Sequence, residues 1–163
     1  MKKLLLLIVF SIISYTCIAG EGLQHEAGLT LGSAYLNYKA TAYPDIGIFY
    51  NVILPKFDEI HFGVSFDRGI GKLNYLISML NLYFKFGENF KFGTSAGYYS
   101  ETENSDNWSY STTIRYYGAF FRASFNFLIP VGKLTISPVL NFDLFRREYL
   151  SSICVNVSYP LPK

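Results

Sequence analysis

Leu80-Asn-Leu-Tyr-Phe-Lys-Phe-Gly-Glu-Asn-Phe-Lys-Phe-Gly-Thr-Ser-Ala-Gly-Tyr-Tyr99 reads as two alternating strands folded about Gly87-Glu88-Asn89, a β-hairpin. Pairing outward from that turn sets Phe86 against Phe90, Phe84 against Phe92 and Leu82 against Thr94 on one face, because strand side chains alternate with period two. The opposite face carries Lys85 against Lys91, Tyr83 against Gly93 and Asn81 against Ser95. A barrel in water puts its large apolar side chains inside and its charges outside. An aromatic outer face over a small, polar inner face is the inversion expected where the surrounding solvent is lipid.

The rest of the chain sets the context for that hairpin. Lys2 and Lys3, the apolar run from Leu4 to Ile13 and the small residues Cys17 and Ala19 predict a secretory signal peptide over residues 1–19, cleaved after Ala19. Its apolar core is too short for a spanning helix, and no second such run follows. A lipoprotein signal ending at Cys17 is the competing reading, but Ser14-Tyr15-Thr16 lacks the usual branched residue and small pair before the cysteine. Residues 20–163 then form one domain.

Losing two lysines with the leader takes the formal charge from +2 to zero, twelve basic against twelve acidic residues. The cations are scattered, so nothing points to nucleic acid. One cysteine remains, Cys154, which rules out an intramolecular disulfide. Aromatics make up 18% of the sequence, with 14 Tyr and 15 Phe, more than a soluble core of this size needs. Such an excess fits the aromatic girdles of a membrane barrel.

Eight segments alternate. The first runs from about Glu26 to Tyr38, with a small inner face of Gly28, Thr30, Gly32 and Ala34. Residues 39–45 read as a loop, and the second strand sets Ile46, Ile48, Tyr50, Val52 and Leu54 on one side. After a turn at residues 55–58, Ile60, Phe62, Val64 and Phe66 point outward against His61, Gly63, Ser65 and Asp67. A glycine loop at 68–72 leads to the hairpin strands, about 73–86 and 90–99. Residues 100–112 form the longest polar stretch and read as an extended loop. The sixth strand, about 113–128, sends Tyr117, Phe121, Phe125 and Phe127 outward and Gly118, Arg122, Ser124 and Asn126 inward. Residues 129–132 turn the chain into the seventh strand, about 134–144, with Asp143 inward and Pro138 at a bulge. The eighth spans about 149–159.

The fold predicted is all-β: an eight-stranded antiparallel transmembrane β-barrel of up-and-down topology. Connections after odd strands are longer or more polar than those after even strands, which puts both termini in the periplasm and residues 100–112 outside. Closure also removes the edges that lipid would not tolerate.

The leader, the eight strands, Leu76-Ile-Ser-Met-Leu-Asn-Leu-Tyr-Phe-Lys-Phe-Gly87 and Gly93-Thr-Ser-Ala-Gly-Tyr98 resemble the small outer-membrane β-barrel (porin-family-like) proteins of Gram-negative bacteria. The resemblance implies residence in the cell outer membrane, contact with its lipid and lipopolysaccharide, and insertion by the barrel-assembly machinery. It departs at the end of the chain, where Pro160-Leu-Pro-Lys163 follows Tyr159 in place of a terminal aromatic residue.

An eight-stranded barrel is narrow enough for side chains to fill, which disfavours a pore. The inward set His61, Asp67, Lys85, Lys91, Arg122 and Asp143 reads as a polar plug, paired because it cannot face lipid. Pairing outward from Val131-Gly132 puts Arg122 near residue 141, one diagonal step from Asp143. Glu101, Glu103, Asp106 and Trp108 mark the external loop as a surface for a ligand or partner, without the spacing of a calcium loop.

The competing function is lipid A modification, since the lipid A deacylase family uses a His and a Ser two apart on one strand face. Here that position after His61 is Gly63, and Ser65 lies about 13 Å along the strand. His25 precedes the first strand, with neither a nucleophile nor a metal partner at suitable spacing. Cys154, inward among small residues, is a filler. No catalytic, cofactor or metal residue is assigned, and the predicted function is a non-catalytic structural or adhesion scaffold that presents external loops.

Overall fold

The computed structural model describes residues 23–36, 41–54, 57–70, 73–107, 110–145 and 149–161; the predicted leader lies outside the described residues. The strands are β1 (Gln24–Leu36), β2 (Thr41–Leu54), β3 (Phe57–Gly69), β4 (Leu73–Phe86), β5 (Phe90–Asn107), β6 (Tyr110–Phe127), β7 (Ile129–Val131), β8 (Leu134–Phe145) and β9 (Tyr149–Leu161). Sequence neighbours pair antiparallel from β1 to β6, β9 joins β1 to β8, and a β6–β8 ladder closes the ring. β7 pairs only with the start of β8, as the far arm of the same hairpin. The barrel wall therefore has eight strands.

The hairpin pairs as its alternation predicts, with Phe86↔Phe90, Phe84↔Phe92, Tyr83↔Gly93 and Asn81↔Ser95. Along β6 and β8, Phe121 (60% exposed) and Phe142 (53%) alternate with Arg122 (7%) and Asp143 (2%). The greasy residues are outside and the ions inside.

Four expectations are corrected. Residues 41–45 are not loop but the start of β2, paired with the end of β1; Pro44 fits there because it lies just past the last β2–β3 pair, Asp45↔Gly69. Phe57 likewise belongs to β3, paired with Leu54 across a register shift. The stretch 100–112 is mostly ladder: β5 and β6 stay paired from Phe90↔Phe127 up to Asn107↔Tyr110. Backbone pairing takes no account of side-chain polarity, and a run rich in Ser, Thr and Glu conceals a strand as readily as a loop.

The fourth correction concerns the turn into β8. It falls on Gly132 and Lys133, with Gly132 at φ 64° in the left-handed region that suits glycine. The pairing centre moves by one residue, so Arg122 stands directly opposite Asp143 rather than diagonal to it.

The interior also holds something the sequence reading did not anticipate, an apolar layer of Ala34, Tyr43, Tyr75, Ile77, Met79, Phe120 and Leu150, with Tyr99 and Phe145 packed against it. It lies toward the end of the barrel where β1 meets β2 and β5 meets β6. Tyr99 and Phe120 both hold the Phe145 ring, at centroid distances of 4.8 and 5.5 Å.

Inward glycines make room for the larger lumen side chains. Gly93 lies beneath the Tyr83 ring, and a Cβ there would overlap ring carbons. Gly93→Val should therefore lower stability by about 1–3 kcal/mol through overpacking. Urea unfolding of the vesicle-reconstituted barrel measures this, and an unchanged midpoint would mean that the ring has space to move.

Candidate functional site

Beneath the apolar layer the lumen is polar, and its side chains are bound to one another in two tiers. In the upper tier Arg122 on β6 donates from Nε to Asp143 Oδ1 at 2.6 Å and from Nη2 to Asp143 Oδ2 at 2.8 Å, a bidentate fork. Its Nη1 donates to Asp67 Oδ2 on β3. Three β-ladders separate β3 from β6 by the shorter way round, so this contact is a chord through the lumen. The guanidinium also lies 5.4 Å from the Phe120 ring centroid, joining the ion tier to the apolar layer.

Hydroxyls and amides complete that tier. Ser124 donates to Asn141 Oδ1 at 2.7 Å, Asn141 Nδ2 donates to Ser152 Oγ at 3.0 Å, and Asn81 Nδ2 donates to Ser65 Oγ at 2.9 Å. Cys154 is buried with its Sγ 3.9 Å from Asp45 Oδ2, in the filler position read for it.

The lower tier, nearer the termini, centres on Glu26. Its Oε2 lies 3.3 Å from Lys91 Nζ and 3.8 Å from His61 Nδ1, and accepts from Asn51 Nδ2 at 3.0 Å. Its Oε1 accepts from Ser158 at 2.6 Å. β1 and β5 are four places apart in either direction round the eight-strand ring, so the Glu26–Lys91 pair crosses its full width. The Lys91 ammonium lies 5.4 Å from the centroid of the Tyr83 ring.

Of the six inward residues predicted, Asp67, Arg122 and Asp143 come together in one tier, and His61 and Lys91 in the other. Lys85 does not join them; it is half-buried at the rim, opposite Lys91 in the ladder. The residues predicted for an external loop are placed differently from expectation. Glu101, Glu103 and Asp106 lie in β5 opposite Tyr116, Ile114 and Ser111, and Trp108 lies outside the described residues. His25 is within β1, its Nδ1 2.6 Å from the Tyr50 hydroxyl.

Two inward residues were missed, Glu26 at the centre of the lower tier and Asp45 beside Cys154. Glu26 shares the parity of Gly28 and Thr30, so the alternation already made it inward. Asp45 was hidden by reading residues 39–45 as a loop.

The top of the barrel is uneven. β8 ends at Phe145 opposite Phe120, and β4 begins opposite Glu103, whereas β5 and β6 continue together to residues 107 and 110. Among the described residues, β6 from Tyr110 to Ala119 pairs with β5 alone, leaving one edge of its backbone open. Arg115, Tyr116 and Tyr117 are exposed along it, and Tyr117 stacks on Tyr98 at 6.2 Å.

No family model matches the sequence, and no curated protein does. Solved structures do. The N-terminal β-barrel domain of OprF from Pseudomonas aeruginosa superposes with a TM-score of 0.56 at 13% identity, covering 84% of this chain and 99% of that one. Ail, the attachment invasion locus protein of Yersinia pestis, gives 0.62 at 9% identity over 85% and 97%. Ail in complex with the heparin analogue sucrose octasulfate gives 0.60 at 10% identity over the same shares. This is the fold of the small outer-membrane β-barrels. At these identities the likeness establishes the barrel architecture alone.

Proposed function

We propose that the chain is a non-catalytic protein of the outer membrane, a rigid barrel that carries the β5–β6 hairpin as a binding element at the cell surface. The observation that carries this reading is the ladder itself, which among the described residues continues to Asn107↔Tyr110, beyond the last pairs made by both neighbouring strands. An open strand edge with aromatic residues and a cation beside it suits a protein or glycan partner better than a solvated loop does. The lower part of the barrel supports it mechanically, since each tier ties distant strands together through the lumen. Ail has been crystallised with a heparin analogue, so a barrel of this architecture can take a ligand; here Arg115 would be the first described contact for a polyanion.

The enzymatic alternative is less well supported. His61 is buried in the lumen beside Glu26, away from the lipid face where an acyl ester would be presented, and Ser65 exchanges hydrogen bonds with Asn81. Lipid A mass profiles of cells with and without the protein should coincide; a lost or added acyl chain would overturn the scaffold reading.

Topology gives a second test. An epitope tag at Asn104 should be labelled on intact cells, and one at Glu88, in the β4–β5 turn, only after permeabilisation. The reverse pattern would place the hairpin in the periplasm and remove its surface role.

A further inference from the structure

At the end that carries the termini, the wall parts between β6 and β8. The β6–β8 ladder stops at Asn126↔Val139, and neither Phe127 nor Pro138 continues it. Pro138 has no N–H to offer a ladder, and the chain beyond Phe127 turns away, with Leu128 donating its N–H to Asn89 O at 2.6 Å before β7 folds onto the start of β8. Where the strands part, a cleft of about 620 Å³ opens on the outer surface.

Its walls are outward side chains, chiefly Phe90, Phe92, Phe125, Phe127, Leu140 and Ile153. Its floor is the strand backbone at Lys91, Asn126 and Val139, whose side chains are buried on the lumen side. Two aromatic rungs border it: Phe90 with Phe127 at 5.2 Å and Phe92 with Phe125 at 5.0 Å.

A volume in the usual range for a small-molecule site, with no polar side chain on its walls, calls for a hydrocarbon ligand. This face lies in the lipid belt, so the bilayer supplies one. A chain seated between the two rungs meets protein on more sides than a chain lying against the convex belt, and gains dispersion contacts accordingly. The turn between β7 and β8 carries the exposed Lys133, and residues 126–142 on either side of it hold no acidic side chain. That balance favours a negatively charged headgroup.

We propose that this cleft is a lipid-binding site that holds an acyl chain of an anionic phospholipid, with its phosphate near Lys133. The site lies at the opposite end from the surface hairpin, so the two readings stand or fall separately.

Brominated lipids test it. The sequence has a single tryptophan, Trp108. In a Trp108→Phe background, Phe127→Trp reports from the cleft and Phe121→Trp from the open belt of the same strand. Quenching is measured in vesicles of phosphatidylcholine containing dibrominated phosphatidylglycerol or dibrominated phosphatidylcholine. At the cleft, phosphatidylglycerol should bind about fivefold more tightly than phosphatidylcholine, the effect of one lysine near a membrane surface. At Phe121→Trp the two lipids should be equal, and Lys133→Gln should abolish the cleft preference.

Coincident curves at the two reporters, or no headgroup preference at the cleft, would reduce the site to ordinary annular contact. Native mass spectrometry of the unsubstituted barrel in mixed micelles removes the reporter from the question. One retained phosphatidylglycerol supports the site, and equal retention of both lipids overturns it.

Discussion

Arg122→Ala should cost the barrel about 3–5 kcal/mol, because it leaves two buried carboxylates, Asp67 and Asp143, without the cation they share. Their side chains are 3% and 0% exposed, so neither can turn to water without opening the lumen. Asp143→Ala should cost less, since Arg122 keeps Asp67 as a partner. Removing Arg122 and Asp143 together should recover part of the loss, because only one stranded carboxylate then remains. The measurement is denaturant unfolding of the reconstituted barrel for the two single variants and the double variant. A coupling of about 0.5–3 kcal/mol is the expected signature of directly bonded groups, and strictly additive losses would mean that the fork at 2.6 and 2.8 Å does not operate in the folded protein.

That same pair shows how far the sequence can be read and where it stops. Both residues were placed on the inner face by alternation alone, since an inward ion flanked by outward aromatics has no other reading in lipid. Their register was two residues out, because alternation is indifferent to a shift of two and only the turn decides it. Val131-Gly132 and Gly132-Lys133 are both plausible two-residue turns; the left-handed φ at Gly132 selects the second. The Leu80–Tyr99 hairpin escaped this difficulty because its turn, Gly87-Glu88-Asn89, is unambiguous and its aromatic rungs match only in one register.

The apolar layer was lost for a different reason. Tyr75, Ile77 and Met79 alternate with Leu76 and Leu80, so the start of β4 is apolar on both faces, and an alternation test finds no inside or outside there. A strand that is greasy on both sides is nevertheless a signal: one face meets lipid and the other meets a packed interior. The error at residues 100–107 is the converse, a segment polar on both faces, in which alternation has no apolar side to mark.

Phe121→Arg should cost about 2–4 kcal/mol in a bilayer, if Phe121 lies near its midplane as its place between the two ends of β6 indicates. Phe121 is 60% exposed, so on a protein in water the same change would fall within about 0.5 kcal/mol of neutral. The size of the loss thus reports the solvent around the barrel and not the packing within it. Leu134→Arg, 41% exposed beside the turn at the end of the barrel, serves as the control and should cost about 1 kcal/mol or less, because an arginine near the interface can extend its guanidinium to water. Unfolding of both variants in vesicles gives the comparison. Equal small losses at the two positions would mean that the aromatic belt does not face hydrocarbon, and the lipid-facing reading of Phe121, Phe125 and Phe142 would fall with it.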